Sequence, residues 1–164
     1  MESVNFKPQS DFADKAQKAF EEEKEKLATI IPNADIQHIG STSIPNAITK
    51  GDLDLQVRIE GIDFQEAIEK LKKLYDINQP ENWTENYASF KDGKRDMSIG
   101  IQLTVKGSGD DRLFQEQQKL LSNNPDVLKE YNEMKLSFEG KDIREYRAAR
   151  HKFFETLKAK GLLA

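Results

Sequence analysis

The chain contains no cysteine among its 164 residues. Disulfides, thiolate-bound metals and thiol nucleophiles are therefore excluded, and the fold must hold together without covalent crosslinks. Histidine is scarce too. His38 and His151, the only two, stand far apart in the sequence and predict no imidazole-rich metal site. Any metal is left to carboxylates. No apolar run approaches the roughly 20 residues needed to span a membrane. The opening stretch Met1 to Lys15 lacks the basic and apolar regions of a signal peptide, which predicts a cytoplasmic protein without membrane partners. The 9 glycines and 5 prolines form no linker, repeat or low-complexity stretch, so a single domain over residues 1–164 is expected.

Positive charge is also in short supply. The 25 Lys and Arg face 29 Asp and Glu, a formal net charge of -4. An extended nucleic-acid surface is not expected, because such surfaces draw their affinity from many cations meeting phosphates. A small phosphorylated ligand needs only a local cluster of cations and remains compatible with this balance.

The hydrophobic pattern supplies the elements. Phe12, Ala16, Ala19, Phe20, Leu27 and Ile30 share one face of a predicted helix capped by Ser10 and ended by Pro32. A short strand is expected over Asp35 to Ile39. From Ile48 to Glu60, Leu53, Leu55, Val57 and Ile59 alternate with Asp52, Asp54, Gln56 and Arg58, which reads as a half-buried strand. A helix over Phe64 to Tyr75 follows, then a strand over Trp83 to Phe90. The Asp92-Gly93 turn leads to an alternating strand over Met97 to Lys106. The remainder reads as three helices: Asp110 to Leu121, Pro125 to a stop at Gly140, and Asp142 to Lys160. The sum is an α/β (α+β) fold, a small mixed sheet flanked by helices (core about 35–106) with a C-terminal helical section at about 110–160.

The chemistry concentrates between residues 38 and 58. Asp52 and Asp54 are two apart on a predicted strand, which puts both carboxylates on one face about 6 to 7 Å apart along the chain. Two acids so placed repel unless a cation lies between them, and oxygen ligands suit Mg2+ or Mn2+. Gly40 lets a phosphate approach the backbone, and Ser41 offers a hydroxyl. Thr42, Ser43 and Pro45 read as the start of a helix whose free N–H groups would face the same phosphate. Lys50 and Arg58 flank the acids and are candidates either for phosphate contact or for local charge pairing.

An apolar residue, Gly-Ser, ten residues, then Asp-apolar-Asp-apolar resembles the signature of the DNA polymerase β-like nucleotidyltransferases. HIGSTSIPNAITKGDLDLQV resembles, more narrowly, a segment of the GrpB family within that superfamily, and the likeness continues through IQLTVKGSGDDRLFQEQQKLLSNNPDVLKEYNEMK and a Tyr146-to-Arg150 motif. The resemblance implies a nucleotidyltransferase-like core. In it Gly40 and Ser41 would bind the phosphates of a nucleoside triphosphate, Asp52 and Asp54 would hold the metal as catalytic residues, and Lys135 and Arg150 would face phosphate from the C-terminal helices. A nucleotidyl group would pass to a small acceptor as pyrophosphate leaves.

Active members of that superfamily usually add a third carboxylate from a neighbouring strand. The strand at Met97 to Lys106 offers Ser98, Gln102 and Thr104 on its polar face, with Asp96 at its mouth as the one candidate acid. Gln102 is the residue expected to face the ligand. A binder of nucleotides or phosphorylated metabolites without turnover is the alternative this leaves open, and a protein-interaction module with an exposed apolar patch is the third. Trp83 and Tyr87 are expected as core aromatics or as a stacking surface for a base, His38 as a packing residue, and Tyr131 with Phe138 as part of a helix core stripe.

Overall fold

The computed structural model describes all residues, Met1–Ala164. Strand β1 (Lys7–Pro8) leads into helix α1 (Ala13–Ile30), strand β2 (Asp35–Ile39), the short β3 (Ile48–Thr49) and β4 (Leu53–Ile59). Helix α2 (Phe64–Lys72), strands β5 (Asp76–Ile77), β6 (Tyr87–Asp92) and β7 (Ile99–Val105), and helices α3 (Gly109–Asn123), α4 (Pro125–Leu136) and α5 (Ile143–Ala159) complete the chain. The main sheet runs β2-β4-β7-β6-β5. Only β4 and β7 are parallel; the other pairs are antiparallel. The mixed α/β architecture expected from the sequence is the one observed.

The alternation of β4 sorts the two faces of the sheet. Leu53, Leu55, Val57 and Ile59 are at most 1% exposed and join α1 and α2 through Leu27, Phe64, Ala67 and Leu71 in the largest apolar cluster. Burying each such side chain stabilises the fold by about 1.5 to 3 kcal/mol. A second cluster, among them Leu121, Val127, Leu128, Tyr131 and Leu157, unites α3, α4 and α5. A smaller third one ties Val4 and Phe6 to Ile143 and Tyr146.

The opposite face of β4 is not left to solvent as a half-buried strand would be. Gln56 is fully buried because α3 lies over it. Asp111, Gln115 and Gln118, spaced four and three apart on α3, present one polar stripe to the sheet. Arg58 donates twice to Asp111, at 2.7 and 2.9 Å, and once to Asp35 at 2.8 Å. Gln56, Thr104 and the Gly107 N–H donate to the same Asp111 carboxylate. Burial opposes its charge, and Arg58 with these other donors holds it below the ordinary carboxylate value. Gln115 donates to Gln37 and Gln56.

Element boundaries moved where local signals were overruled. The long strand expected from Ile48 to Glu60 is interrupted at Lys50-Gly51-Asp52, because Ile48 and Thr49 pair with β1 instead. Gly51 has φ of +91°, and a Cβ there would stand 2.7 Å from the Phe12 ring that packs beneath it. The first helix begins at Ala13 rather than at a Ser10 cap, since residues Gln9–Asp11 form a separate 3-10 turn. The fourth ends at Leu136, four residues before Gly140, whose N–H donates to the Val4 carbonyl. Trp83 precedes its expected strand, after a 3-10 turn over Pro80–Asn82.

Replacing Asp111 with Ala leaves Arg58, Gln56 and the Gly107 N–H without their shared acceptor. A loss of about 3 to 5 kcal/mol of unfolding free energy is expected, measured by urea denaturation at neutral pH.

Candidate functional site

Where β4 begins, the chain opens a cleft of about 600 Å³ between the polar face of the sheet and α3, α4 and α5. Gly40, Ser41, Lys50, Asp52, Asp54, Gln102, Lys135 and Arg150, eight of the eleven residues singled out from the sequence, line it.

Asp54 occupies a cradle made by two glycines. A Cβ on Gly40 would approach its Oδ2 to 2.6 Å, and one on Gly100 would approach its Oδ1 to 2.8 Å. Gly100 is its register partner across the parallel β4–β7 pair. Gly40 has φ of +81° and ψ of -177°, a conformation open only to glycine. Its missing side chain thus serves both the turn and the carboxylate. Asp52 sits just ahead of β4, in the loop rather than on the strand, and its carbonyl accepts from the Thr42 hydroxyl at 3.0 Å. Lys50 Nζ is 3.3 Å from its Oδ2. Burial and the neighbouring Asp52 charge raise Asp54 to about 6, against the pull of Arg150, Lys50 and Lys135.

The cationic wall comes from the helices. Lys135, 2% exposed, donates to the Ser41 hydroxyl and, at 2.8 Å, to the Ile48 carbonyl, with its Nζ 4.2 Å from the centroid of the Tyr131 ring. Burial pushes its ammonium down to about 8. Arg150 donates to the Tyr131 hydroxyl at 3.0 Å. Burial alone would raise the Tyr131 phenol, but the Arg150 and Lys135 charges prevail and lower it from its ordinary value. Gln102 accepts from the Tyr87 hydroxyl at 2.7 Å.

Three expected phosphate contacts point elsewhere. Arg58 is committed to Asp111 and Asp35 outside the cleft. Thr42 is buried, receiving a hydrogen bond from His38 Nε2 and donating to Asp52. Ser43 donates to the Gly40 carbonyl and accepts from Gln118. No α-helix starts here; residues Ser41–Ser43 make one 3-10 turn. Asp96 is not the missing acid either: it is exposed and pairs with Lys15 at 3.5 Å. No group of three or more His, Asp or Glu side chains is placed to hold a metal. His38 stacks on Phe20, as a packing residue does, and its burial lowers the imidazole from its ordinary value. Trp83 packs against Phe90 on the core, whereas Tyr87 lines the cleft.

One residue with a large part in the site carried no sequence signal of its own. Gln118 accepts from the Gly40 N–H at 2.9 Å and donates to Ser43 at 2.7 Å, clamping the Gly-Ser loop from α3. Its only trace is its place in register with Asp111 and Gln115 along the helix.

The family model described as GrpB protein matches residues 10–160. The chain belongs to the GrpB family. A UPF0157 protein of Vibrio cholerae serotype O1 is 31% identical over 130 residues, which cover 79% of this chain and 69% of that one. The crystal structure of the conserved GrpB protein from Enterococcus faecalis superposes with a TM-score of 0.66 at 18% identity, over 90% of this chain and 89% of that one. Beyond the GrpB family, the Cid1 poly(U) polymerase bound to MgGTP gives a TM-score of 0.53 at 18% identity, over 79% of this chain but 42% of that one. This GrpB chain therefore shares the nucleotidyltransferase fold.

The raised Asp54 carries a test that needs no ligand. Its folded value of about 6 lies above the ordinary 3.8, so the native state holds more protons between those values and loses stability as pH rises through that window. Asp54→Asn is expected to stabilise the ligand-free protein at pH 7.5 by roughly 2 to 3 kcal/mol, with the gain gone at pH 3.5, as read by urea denaturation at both pH values.

Proposed function

We propose that this GrpB protein is a metal-dependent nucleotidyltransferase that binds a nucleoside triphosphate in the cleft and transfers its nucleotidyl group to a small acceptor. The observation that carries the reading is the convergence of Asp52 and the glycine-cradled Asp54 with Ser41, Lys135 and Arg150 in one cavity. The donor set fits one magnesium or manganese ion. Asp52 and Asp54 each offer carboxylate oxygens, and Asp54 is already destabilised as an anion by burial and then by its neighbour Asp52, a penalty that a divalent cation relieves. When bound, such an ion neutralises phosphate charge and withdraws electrons from the phosphorus under attack.

The chain's own groups supply the rest. Lys135 and Arg150 meet phosphate oxygens from the helical side, Lys50 from the loop, and Ser41 through the hydroxyl that Lys135 now orients. Gln118 holds the Gly-Ser loop in place for that contact. In the reaction the oxygen of an acceptor hydroxyl forms a bond to the α-phosphorus and gives its proton to solvent, the bond from that phosphorus to the bridging oxygen breaks, and pyrophosphate departs. The protein's contribution is positional and electrostatic, through donors fixed before the ligand arrives.

A second reading, binding of a nucleotide or phosphorylated metabolite without turnover, has its own observation. The register position beside Asp54 on β7 is Gly100, and the next residue on the same face is Gln102, so no third carboxylate joins the pair.

Calorimetry of ATP, GTP, CTP and UTP, with and without magnesium, tests the shared part of both readings. Magnesium-dependent binding is expected for the native protein, weakened at least about tenfold by Asp52→Asn/Asp54→Asn. No magnesium-dependent binding to any of the four would sink both. Pyrophosphate release on addition of an acceptor then separates catalysis from binding. Gln118→Ala is expected to weaken magnesium tripolyphosphate binding several-fold while the melting temperature moves little, because the loop loses two hydrogen bonds and the core loses nothing.

A further inference from the structure

The cleft has a second end with a different chemistry. Tyr87 from β6 and Phe114 from α3 face each other there, ring centroids 5.6 Å apart and tilted by 33°. Both are half-buried, and neither belongs to any of the three apolar clusters that hold the fold together. Both line the cavity, together with Gln102 and Gln117. The Tyr87 hydroxyl fixes the Gln102 amide by donating to its Oε1, which leaves the Nε2 donor uncommitted. The Gln117 side chain makes no hydrogen bond within the protein, in contrast to those of Gln115 and Gln118 on the same helix. Aromatic faces beside free amide donors and acceptors do not suit phosphate. They suit a flat, uncharged ring with polar edges.

This end adjoins the acids. Gln102 Nε2 lies 3.9 Å from the point where a Gly100 Cβ would stand, and that point is 2.8 Å from Asp54 Oδ1. With no side chain at position 100, Gln102 and Asp54 line one continuous cavity.

We infer that Tyr87, Phe114, Gln102 and Gln117 form a subsite for a planar heterocycle of the nucleobase class, held next to the phosphate-binding end. The inference rests on the phosphate reading of the other end. The ring belongs either to the triphosphate donor or to the acceptor, and both sources present the same flat face and polar edge. Stacking on Tyr87 and Phe114 supplies affinity, and the two amides read the ring's edge.

The test compares magnesium tripolyphosphate, the four nucleoside triphosphates and the four nucleosides by calorimetry on the full chain. At least one triphosphate is expected to bind about tenfold more tightly than tripolyphosphate. Tyr87→Ala and Phe114→Ala should each erase most of that difference and leave tripolyphosphate affinity unchanged. Gln117→Ala should alter the ranking among the four bases. Tyr87→Phe, which keeps the ring and frees Gln102, should retain the stacking advantage and so controls for a folding defect. A nucleoside that binds on top of a saturating non-hydrolysable triphosphate assigns the ring to the acceptor; one that competes assigns it to the donor. Tripolyphosphate binding with no advantage for any base overturns the subsite while the phosphate reading stands. Ring preference without magnesium dependence overturns the metal reading and leaves the subsite standing. If no ring-bearing ligand binds, or if the ring variants weaken tripolyphosphate equally, the subsite is rejected.

Discussion

A sheet with a polar face must either expose that face or satisfy it, and here the second solution organises the molecule. Asp111 draws Arg58, Gln56, Thr104 and the Gly107 amide onto one carboxylate. A buried anion is tolerated only when its lone pairs are filled and a cation stands beside it. This cluster meets both conditions, and no buried side-chain nitrogen or oxygen in the protein lacks a partner. Because the geometry at Asp111 fixes α3 on the sheet, it also fixes Gln115 over Gln37 and Gln56, and Gln118 over the Gly-Ser loop. The scaffold and the site are thus two stretches of one polar stripe.

The site shows a matching division between what is packed and what is kept open. Gly40 and Gly100 withhold side chains on either side of Asp54, so its carboxylate has room but few close neighbours. The cations that face it arrive from helices assembled around a separate apolar core, with Lys135 and Tyr131 on α4 and Arg150 on α5. Asp54 comes from the sheet, Asp52 and Lys50 from the loop before it, and Lys135 and Arg150 from the helices, and the cleft is the seam between them. That arrangement explains why Asp54 is raised and Lys135 lowered in the same cavity: burial dominates both, and the opposing charge only partly offsets it.

Much of this was legible in the chain itself. The alternation of Leu53, Leu55, Val57 and Ile59 announced a strand with one apolar face, and that face is the core. Asp-Leu-Asp and the upstream Gly-Ser pair line one cleft, as their spacing led one to expect, and the likeness to GrpB proteins agrees with the family match. The expected phosphate contacts that turn away are held at two ranges. Arg58, a candidate for phosphate contact or for charge pairing, is taken by Asp111, 53 positions away, and Ser43 accepts from Gln118, 75 away, whereas Thr42 is held locally by His38 and the Asp52 carbonyl. Trp83 was expected on the strand with Tyr87, but it precedes that strand, after a 3-10 turn, and packs on the core.

The sequence by itself determined the periodicities, the two acids and the flexible glycine, because these depend on backbone geometry and on side chains within a few residues of one another. Tertiary structure alone decided which polar groups were consumed and which remained free. Hydrogen-bond capacity is finite, and a donor satisfied by the scaffold is lost to a ligand. The docking of α3 spent Arg58 and Gln118 on structure, while it left Gln117 and the Tyr87–Phe114 pair facing the cavity.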